Sequence, residues 1–212
     1  MLARFDRGTV RTNANDAGLQ LTAEKRVMTR ISFWLMAIVV VVLAVLVGGT
    51  AMSAQDKYSL KVPGGLAFSD FKGYEGWQAV SISQDGGAIA VILANPVMIN
   101  AYRAGVPGNG KPFPDGSKMA KIHWNPKTSE TFPAATVPGA LLNVDFMERD
   151  AKRFADSGGW GWAVFDYDAA SDTFAPGTAA SKPPQANDAK CGFACHTLVK
   201  NRDYVFTDYG KR

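Results

Sequence analysis

The residues best suited to a chemical role lie near the C-terminal end, where Cys191 and Cys195 are followed directly by His196. They include both of the chain's cysteines and one of its two histidines. In this arrangement each thiol can add across a vinyl group of a porphyrin, and the imidazole of the next residue can reach the iron. Such motifs usually have two residues between the cysteines, and here there are three. The motif therefore predicts one covalently attached haem c with its iron, and a disulfide is the alternative.

The charge distribution argues against a nucleic-acid partner. The formal net charge is +4, but residues 1–54 hold six Lys and Arg against three acids, which leaves seventeen against sixteen in residues 55–212. No run of basic residues with interleaved aromatic residues forms a candidate nucleic-acid surface. The body of the protein is therefore close to neutral.

The N-terminal region predicts export. Residues 1–30 are polar and are expected to be disordered, and residues 31–47 are almost wholly apolar. Lys25, Arg26 and Arg30 precede the apolar run, so the positive-inside bias keeps the N-terminus in the cytoplasm. Residues 31–54 are then either a signal peptide, for which Met28 would serve as an alternative start, or an uncleaved membrane anchor at the short limit of length. Either way, the domain at 55–212 is expected in the periplasm.

The pattern of the domain predicts a mostly β (α+β) fold, with an antiparallel sheet and a few short helices. Alternating apolar residues and turn signals favour strands, and Asn95-Pro96 is typical of a helix start. The loops include a Pro- and Thr-rich excursion at 125–139. The expected strands are 77–83, 88–94, 117–124, 141–147 and 159–167, and the expected helices are 95–104, 150–155 and 191–200, with the N-terminal apolar segment as a further hydrophobic helix.

Three motifs, in this order, resemble the cytochrome P460 family, whose close relatives are the β-sheet type of cytochrome c prime. They are Phe113-Pro114-Asp115-Gly116 before a lysine-bearing strand, the Gly-Gly-Trp-Gly-Trp stretch at 158–162, and the cysteine motif with Asp-Tyr-Val-Phe-Thr at 203–207. The resemblance covers residues 58–212. It implies a homodimer with one five-coordinate haem c per chain, held by Cys191 and Cys195, with His196 as the proximal ligand and an open pocket opposite. We assign the second stretch and residues 203–207 structural roles only, the latter pinning the C-terminus onto the sheet.

The resemblance also implies a role for a lysine on the strand after Gly116. In P460 members proper, a lysine is bonded to the porphyrin edge and tunes the iron for hydroxylamine oxidation. In the c-prime relatives that bond is absent, and an apolar pocket binds nitric oxide. Lys118 and Lys121 lie on opposite faces of a strand, and alignment to the family pattern favours Lys121. A surface lysine is the alternative.

Hydroxylamine oxidation requires a base to take up protons as electrons leave. Asp145 and Glu148 are the candidate distal acids, on opposite faces of one strand, and the sequence does not tell which face meets the haem. Asp150 is expected to cap a helix. His123 is expected to be a surface or edge-strand histidine, and a distal group or a second iron ligand is the alternative.

The leading hypothesis is an exported P460-type cytochrome that oxidises hydroxylamine, or a related small nitrogen species, and passes electrons to a soluble cytochrome. The alternatives are a nitric-oxide-binding protein of the c-prime type, which is not an enzyme, and a plain electron carrier.

Overall fold

Six strands form one sheet in which each strand pairs with its neighbours in sequence and runs antiparallel to them. The computed structural model describes residues 55–85, 87–180, 182–189 and 192–211. The expected disordered segment at 1–30 and the apolar segment at 31–54 lie outside these residues. The strands are β1 (Gln78–Asp85), β2 (Ala88–Ala94), β3 (Lys118–Thr128), β4 (Thr136–Arg149), β5 (Trp160–Asp168) and β6 (Thr173–Pro176). The prediction of a mostly β fold with an antiparallel sheet is confirmed.

Within the described residues, two short α-helices accompany the sheet. Helix α1 (Pro96–Arg103) begins as its sequence predicts, because the Asn95 side chain accepts the Met98 N–H at 3.1 Å and Pro96 occupies the first turn. Helix α2 (Phe193–His196) is a single turn that passes into a 3-10 helix at Thr197–Arg202. The described helices include none that is long and apolar enough to cross a membrane.

The two faces of the sheet have different coverings. One, which we call the aromatic face, buries Phe146 and Phe165 against Phe68 and Phe71 from the segment before β1. The Phe146 ring stacks on Phe71 at 4.1 Å between centroids and meets Phe68 edge-on at 5.1 Å. Aromatic packing of this kind stabilises beyond the area that it buries. The aromatic face is therefore a dry structural core.

The other face, which we call the cavity face, is covered by α1 and by the C-terminal segment. Ile92, Met119, Met147 and Trp162 belong to this second cluster of buried residues. They alternate along their strands with residues of the aromatic face, as the two-residue period of a strand requires. The sequence thus divides the sheet into two separate cores.

Residues 125–139 are not the loop excursion that we predicted. Strand β3 continues to Thr128 and β4 begins at Thr136, with Pro126 opposite Pro138. At that point β3 has already passed its last pairing with β2, and β4 has not yet reached β5. Each proline therefore lies in a strand with a partner on one side only, where its missing N–H is tolerated.

Two other local predictions need correction. The expected helix at 150–155 is a set of turns ending in a 3-10 turn at Ala155–Ser157, and Asp150 accepts the N–H groups of Lys152 and Arg153 within it. Gly158 and Gly159, both with positive φ, then lead directly into β5, so the connection is too tight for a helix. Strand β6 was not predicted, because its four residues are too few to show a period.

Candidate functional site

A cavity of about 510 Å³ lies between the cavity face and the C-terminal segment. Volumes of this order enclose ligands of cofactor size. From the sheet it is lined by Ser81, Ser83, Ile92, Met119, Lys121, Asp145, Phe146, Met147, Trp162, Ala163 and Val164. From the C-terminal segment it is lined by Cys195, His196, Val205, Phe206, Thr207 and Asp208. Four of the predicted site residues therefore share one cavity: Lys121, Asp145, Cys195 and His196.

The orientation of His196 is fixed by the chain that follows it. Its Nδ1 donates a hydrogen bond to the Tyr204 carbonyl at 2.6 Å. Its ring lies against Trp162 at 5.4 Å and meets Phe206 at 5.1 Å between centroids. Because the carbonyl can only accept, Nδ1 carries the proton, and the neutral imidazole has its lone pair on Nε2. This is the tautomer that a metal-ligating histidine needs.

An unusual backbone turn aims the Tyr204 carbonyl. Asp203 and Tyr204 both have positive φ, 51° and 62°, which is unfavourable for residues other than glycine. The Asp203 carboxylate accepts the Phe113 N–H at 2.7 Å and lies 4.0 Å from Arg149 Nε. Burial raises the pKa of Asp203 above the ordinary aspartate value, although the Phe113 N–H and Arg149 act in the opposite direction. Residues 203–207 therefore position His196, a role that our structural interpretation of this stretch missed.

Of the two cysteines, Cys195 is placed in the cavity wall and is exposed. Cys191 lies outside the described residues. Trp162 was expected only to pack within a strand, yet it lines the cavity and contacts the His196 ring. No sequence signal distinguishes it from a core tryptophan.

Strand β3 carries a lysine on each face of the sheet, and strand β4 carries an acid on each face. Lys121 is the register partner of Asp145 on the cavity face, and Lys118 is the partner of Glu148 on the aromatic face. Lys118 Nζ lies 3.1 Å from the Glu148 carboxylate, which is also 3.8 Å from Arg153. Glu148 is thus on the far side of the sheet from His196, which corrects our expectation that it could serve as the distal acid.

His123 is not the surface histidine that we expected. Its side chain is only 12 % exposed, and Nε2 lies 3.2 Å from Asp145 Oδ2. Strand β3 lies between β2 and β4, so His123 is not on an edge strand either. The histidine adjoins the candidate acid rather than the solvent.

The residues of the cavity fit a haem. Its apolar lining suits a porphyrin ring, the His196 tautomer suits an axial ligand, and Cys195 adjoins His196 in the same wall. Asp145 gives the cavity a carboxylate whose two oxygens are buried without a hydrogen-bond partner in the described part of the chain. His196 and Cys195, with Cys191, would therefore hold the group, and Lys121 and Asp145 would lie on the sheet side of the cavity.

Comparison with known families agrees with this geometry. Residues 71–207 match the family model described as cytochrome P460. The match spans all six strands and the segment that carries His196, and it confirms the resemblance drawn from the three motifs. No curated protein matches the chain.

Proposed function

The chain belongs to the cytochrome P460 family of c-type haem proteins, and on this premise we propose that it oxidises hydroxylamine or a closely related small nitrogen species. One observation carries the proposal: Asp145 and Lys121 line the same cavity as His196. A base and a candidate haem-bonding lysine are thereby available in the cavity that the proximal histidine lines.

The cavity residues have separate proposed roles. When bound, the haem iron supplies a site for a small nitrogen ligand and a path for its electrons. His196 would be the histidine that binds the iron, and its ring is fixed by the Tyr204 carbonyl. Asp145 takes up protons as electrons leave the substrate, which is the part of the reaction that requires a general base.

Lys121 is proposed as the residue bonded to the porphyrin edge. It lines the cavity, and no ion pair or hydrogen bond engages its amine within the described ranges. Lys118, by contrast, is held by Glu148 and by the Asp70 carbonyl on the other face. Of the two lysines at the start of β3, Lys121 is thus the one that lines the cavity and has an amine available for the bond.

We further propose that the domain is exported to the periplasm, either freed by signal cleavage or anchored by residues 31–47. There it would form a homodimer and pass electrons to a soluble cytochrome. These proposals follow from the charge pattern around the apolar segment and from the family.

The test is hydroxylamine-dependent reduction of a soluble ferric cytochrome by the purified haem protein. The Asp145→Asn variant lacks the base and should lower kcat by about 10²- to 10⁴-fold. Glu148→Gln is the matched control, since it removes an acid from the same strand on the other face, and it should retain the wild-type rate.

Failure of the wild-type protein to reduce the acceptor would exclude the proposed activity. If such a protein still bound nitric oxide in the ferrous state, the gas-binding alternative would replace it. The ferrous absorption spectrum gives an independent check, because a Soret band shifted strongly to the red is the mark of the P460 members.

A further inference from the structure

A row of polar side chains leads from the cavity towards the edge of the cavity face. Asp145 and Asn143 are two residues apart on β4 and therefore share a face. The register partner of Asn143 on β3 is His123, and on β5 it is Asp166. Directly opposed residues of antiparallel strands project on the same side, about 5 Å apart. Asp145, His123, Asn143 and Asp166 thus form one continuous group, which we call the polar row.

Burial changes along the polar row. The side chains of Asp145 and His123 are each 12 % exposed, whereas Asp166 is exposed. Asp145 lines the cavity at one end, and Asp166 reaches the solvent at the other. The row therefore connects the cavity with the exterior.

The buried part of the polar row is costly to maintain. His123 Nε2 and Asp145 Oδ2 lie 3.2 Å apart, but in the part of the chain that the structure describes neither atom forms a well-aligned hydrogen bond, and neither do Asp145 Oδ1 and Asn143 Oδ1. Buried polar groups are usually satisfied, and leaving them unsatisfied is unfavourable. An apolar residue at position 123 would pack on this face without that cost. The placement of an imidazole there points to a use.

We propose that His123 is a positioning residue for Asp145 and the next member of a proton path out of the cavity. The inference rests on the proposed function for the origin of the protons. A proton leaving the substrate binds a carboxylate oxygen of Asp145, while the accompanying electron goes to the external ferric cytochrome. The Asp145 acid then transfers the proton to Nε2 of His123, 3.2 Å away, which restores the carboxylate. The imidazolium then releases its proton to solvent at the Asp166 end of the polar row, and the Asn143 amide itself takes up no proton.

Other charged groups face the same region and bear on its pH dependence. Lys121 lies opposite Asp145 on β3. Asp208 lines the cavity from the C-terminal segment and is paired with Arg202. Neither lies between Asp145 and Asp166 in the polar row. The imidazole is therefore the titratable group that joins the acid to the solvent.

The test compares the haem protein with His123→Gln, which keeps a polar side chain but cannot carry a proton. We expect kcat to fall at least about tenfold with little change in KM. The pH dependence of kcat should also change, because the variant removes a proton-carrying side chain from the path. Added imidazole, a mobile proton acceptor, should restore part of the rate in His123→Gln and none in Asp145→Asn.

A second measurement does not depend on turnover. The reduction potential of the wild-type haem should depend on pH, because the proposed path places two proton-carrying side chains, His123 and Asp145, beside the cavity. His123→Gln should flatten that variation, and Glu148→Gln should leave it unchanged. Since the chain has only two histidines, the His123 resonance can also be followed directly by NMR in the wild type, where folding of a variant is not in question.

Unchanged kcat, pH profile and potential in His123→Gln would overturn the proposal. A lower rate without rescue by imidazole and without any change in the pH dependence of the potential would overturn it as well, since a purely structural histidine gives that result. If the wild type fails to oxidise hydroxylamine, the proposed function falls. The pH dependence of the potential then still decides whether His123 and Asp145 act as a coupled pair.

Discussion

Two lysine–acid pairs join β3 to β4, one on each face of the sheet, and the contacts of their side chains differ. Lys118 and Glu148 form an ion pair at 3.1 Å, and the Lys118 amine also donates to the Asp70 carbonyl and lies over the Phe71 ring. Lys121 and Asp145 are register partners in the same way, yet Asp145 adjoins His123 instead.

The difference shows that the face of the sheet, rather than the cross-strand pairing, decides what a charged pair does. On the aromatic face, charges close to a packed core are stable only when paired, and removal of one partner leaves the other uncompensated. On the cavity face, the acid and the amine remain available to whatever fills the cavity. The first pair supports the fold, and the second is suited to chemistry.

The largest expected effect concerns the bond between lysine and porphyrin. Lys121→Met should abolish that bond completely, because methionine has no amine, whereas Lys118→Met should retain it. Digestion of each haem protein followed by mass spectrometry of the haem peptides measures this directly. If the Lys121 peptide of the wild type carried no haem, the proposed bond would be excluded and the two lysines would not differ in this respect.

The free energy of unfolding should depend more on Glu148 than on Asp145, whereas the activity should depend more on Asp145. Glu148→Gln leaves Lys118 without its charge partner and removes one of the two carboxylates near Arg153, which keeps Asp70, and it should lower the free energy of unfolding by about 1–3 kcal/mol. Asp145→Asn removes a buried carboxylate that has no hydrogen-bond partner within the described residues. It should leave the free energy of unfolding unchanged or raise it.

Urea denaturation of the two acid variants measures the free energy of unfolding of each. Equal m-values are the control for two-state behaviour. A larger loss in Asp145→Asn than in Glu148→Gln would mean that the cavity-face acid is structural.

The smallest effect involves Asp203, a buried acid near the other wall of the cavity. Its raised pKa means that the folded protein binds this proton more tightly than the unfolded chain does. The contribution of Asp203 to stability therefore falls as pH rises above its ordinary value of about 3.9, and it levels off above the folded pKa. Asp203→Asn lacks this component, so the stability of the wild type relative to the variant should decrease over that range. Urea unfolding of both proteins from pH 3.5 to 7 measures the difference, and a relative stability that rises with pH would contradict the sign.

Much of the sheet followed from local signals. The turn after β1, the Asn95-Pro96 helix start and the alternation along β5 are each encoded within a few residues. Pro126 and Pro138 misled the prediction because their tolerance depends on which neighbouring strands are missing, and that is a property of the whole sheet.

The candidate site was likewise predictable where local signals decide and not where the arrangement of the whole sheet decides. Strand periodicity places Asp145 and Glu148 on opposite faces, but only the packing of the C-terminal segment shows which face has the cavity. His123 could not be recognised as buried without the order of the strands. The role of Tyr204 depends on its backbone carbonyl and on left-handed φ angles, which residue identity does not reveal.

The C-terminal wall of the cavity has a consequence for assembly. The wall comprises Cys195 to Asp208, whereas every sheet residue that lines the cavity comes earlier in the chain. The strands can thus pair before this wall is in place. Because Cys195 and His196 are part of the wall, a haem bonded to them would move with that segment, and docking of the segment and seating of the haem would be one event. Closure of the fold and loading of the cofactor would thereby be coupled in time.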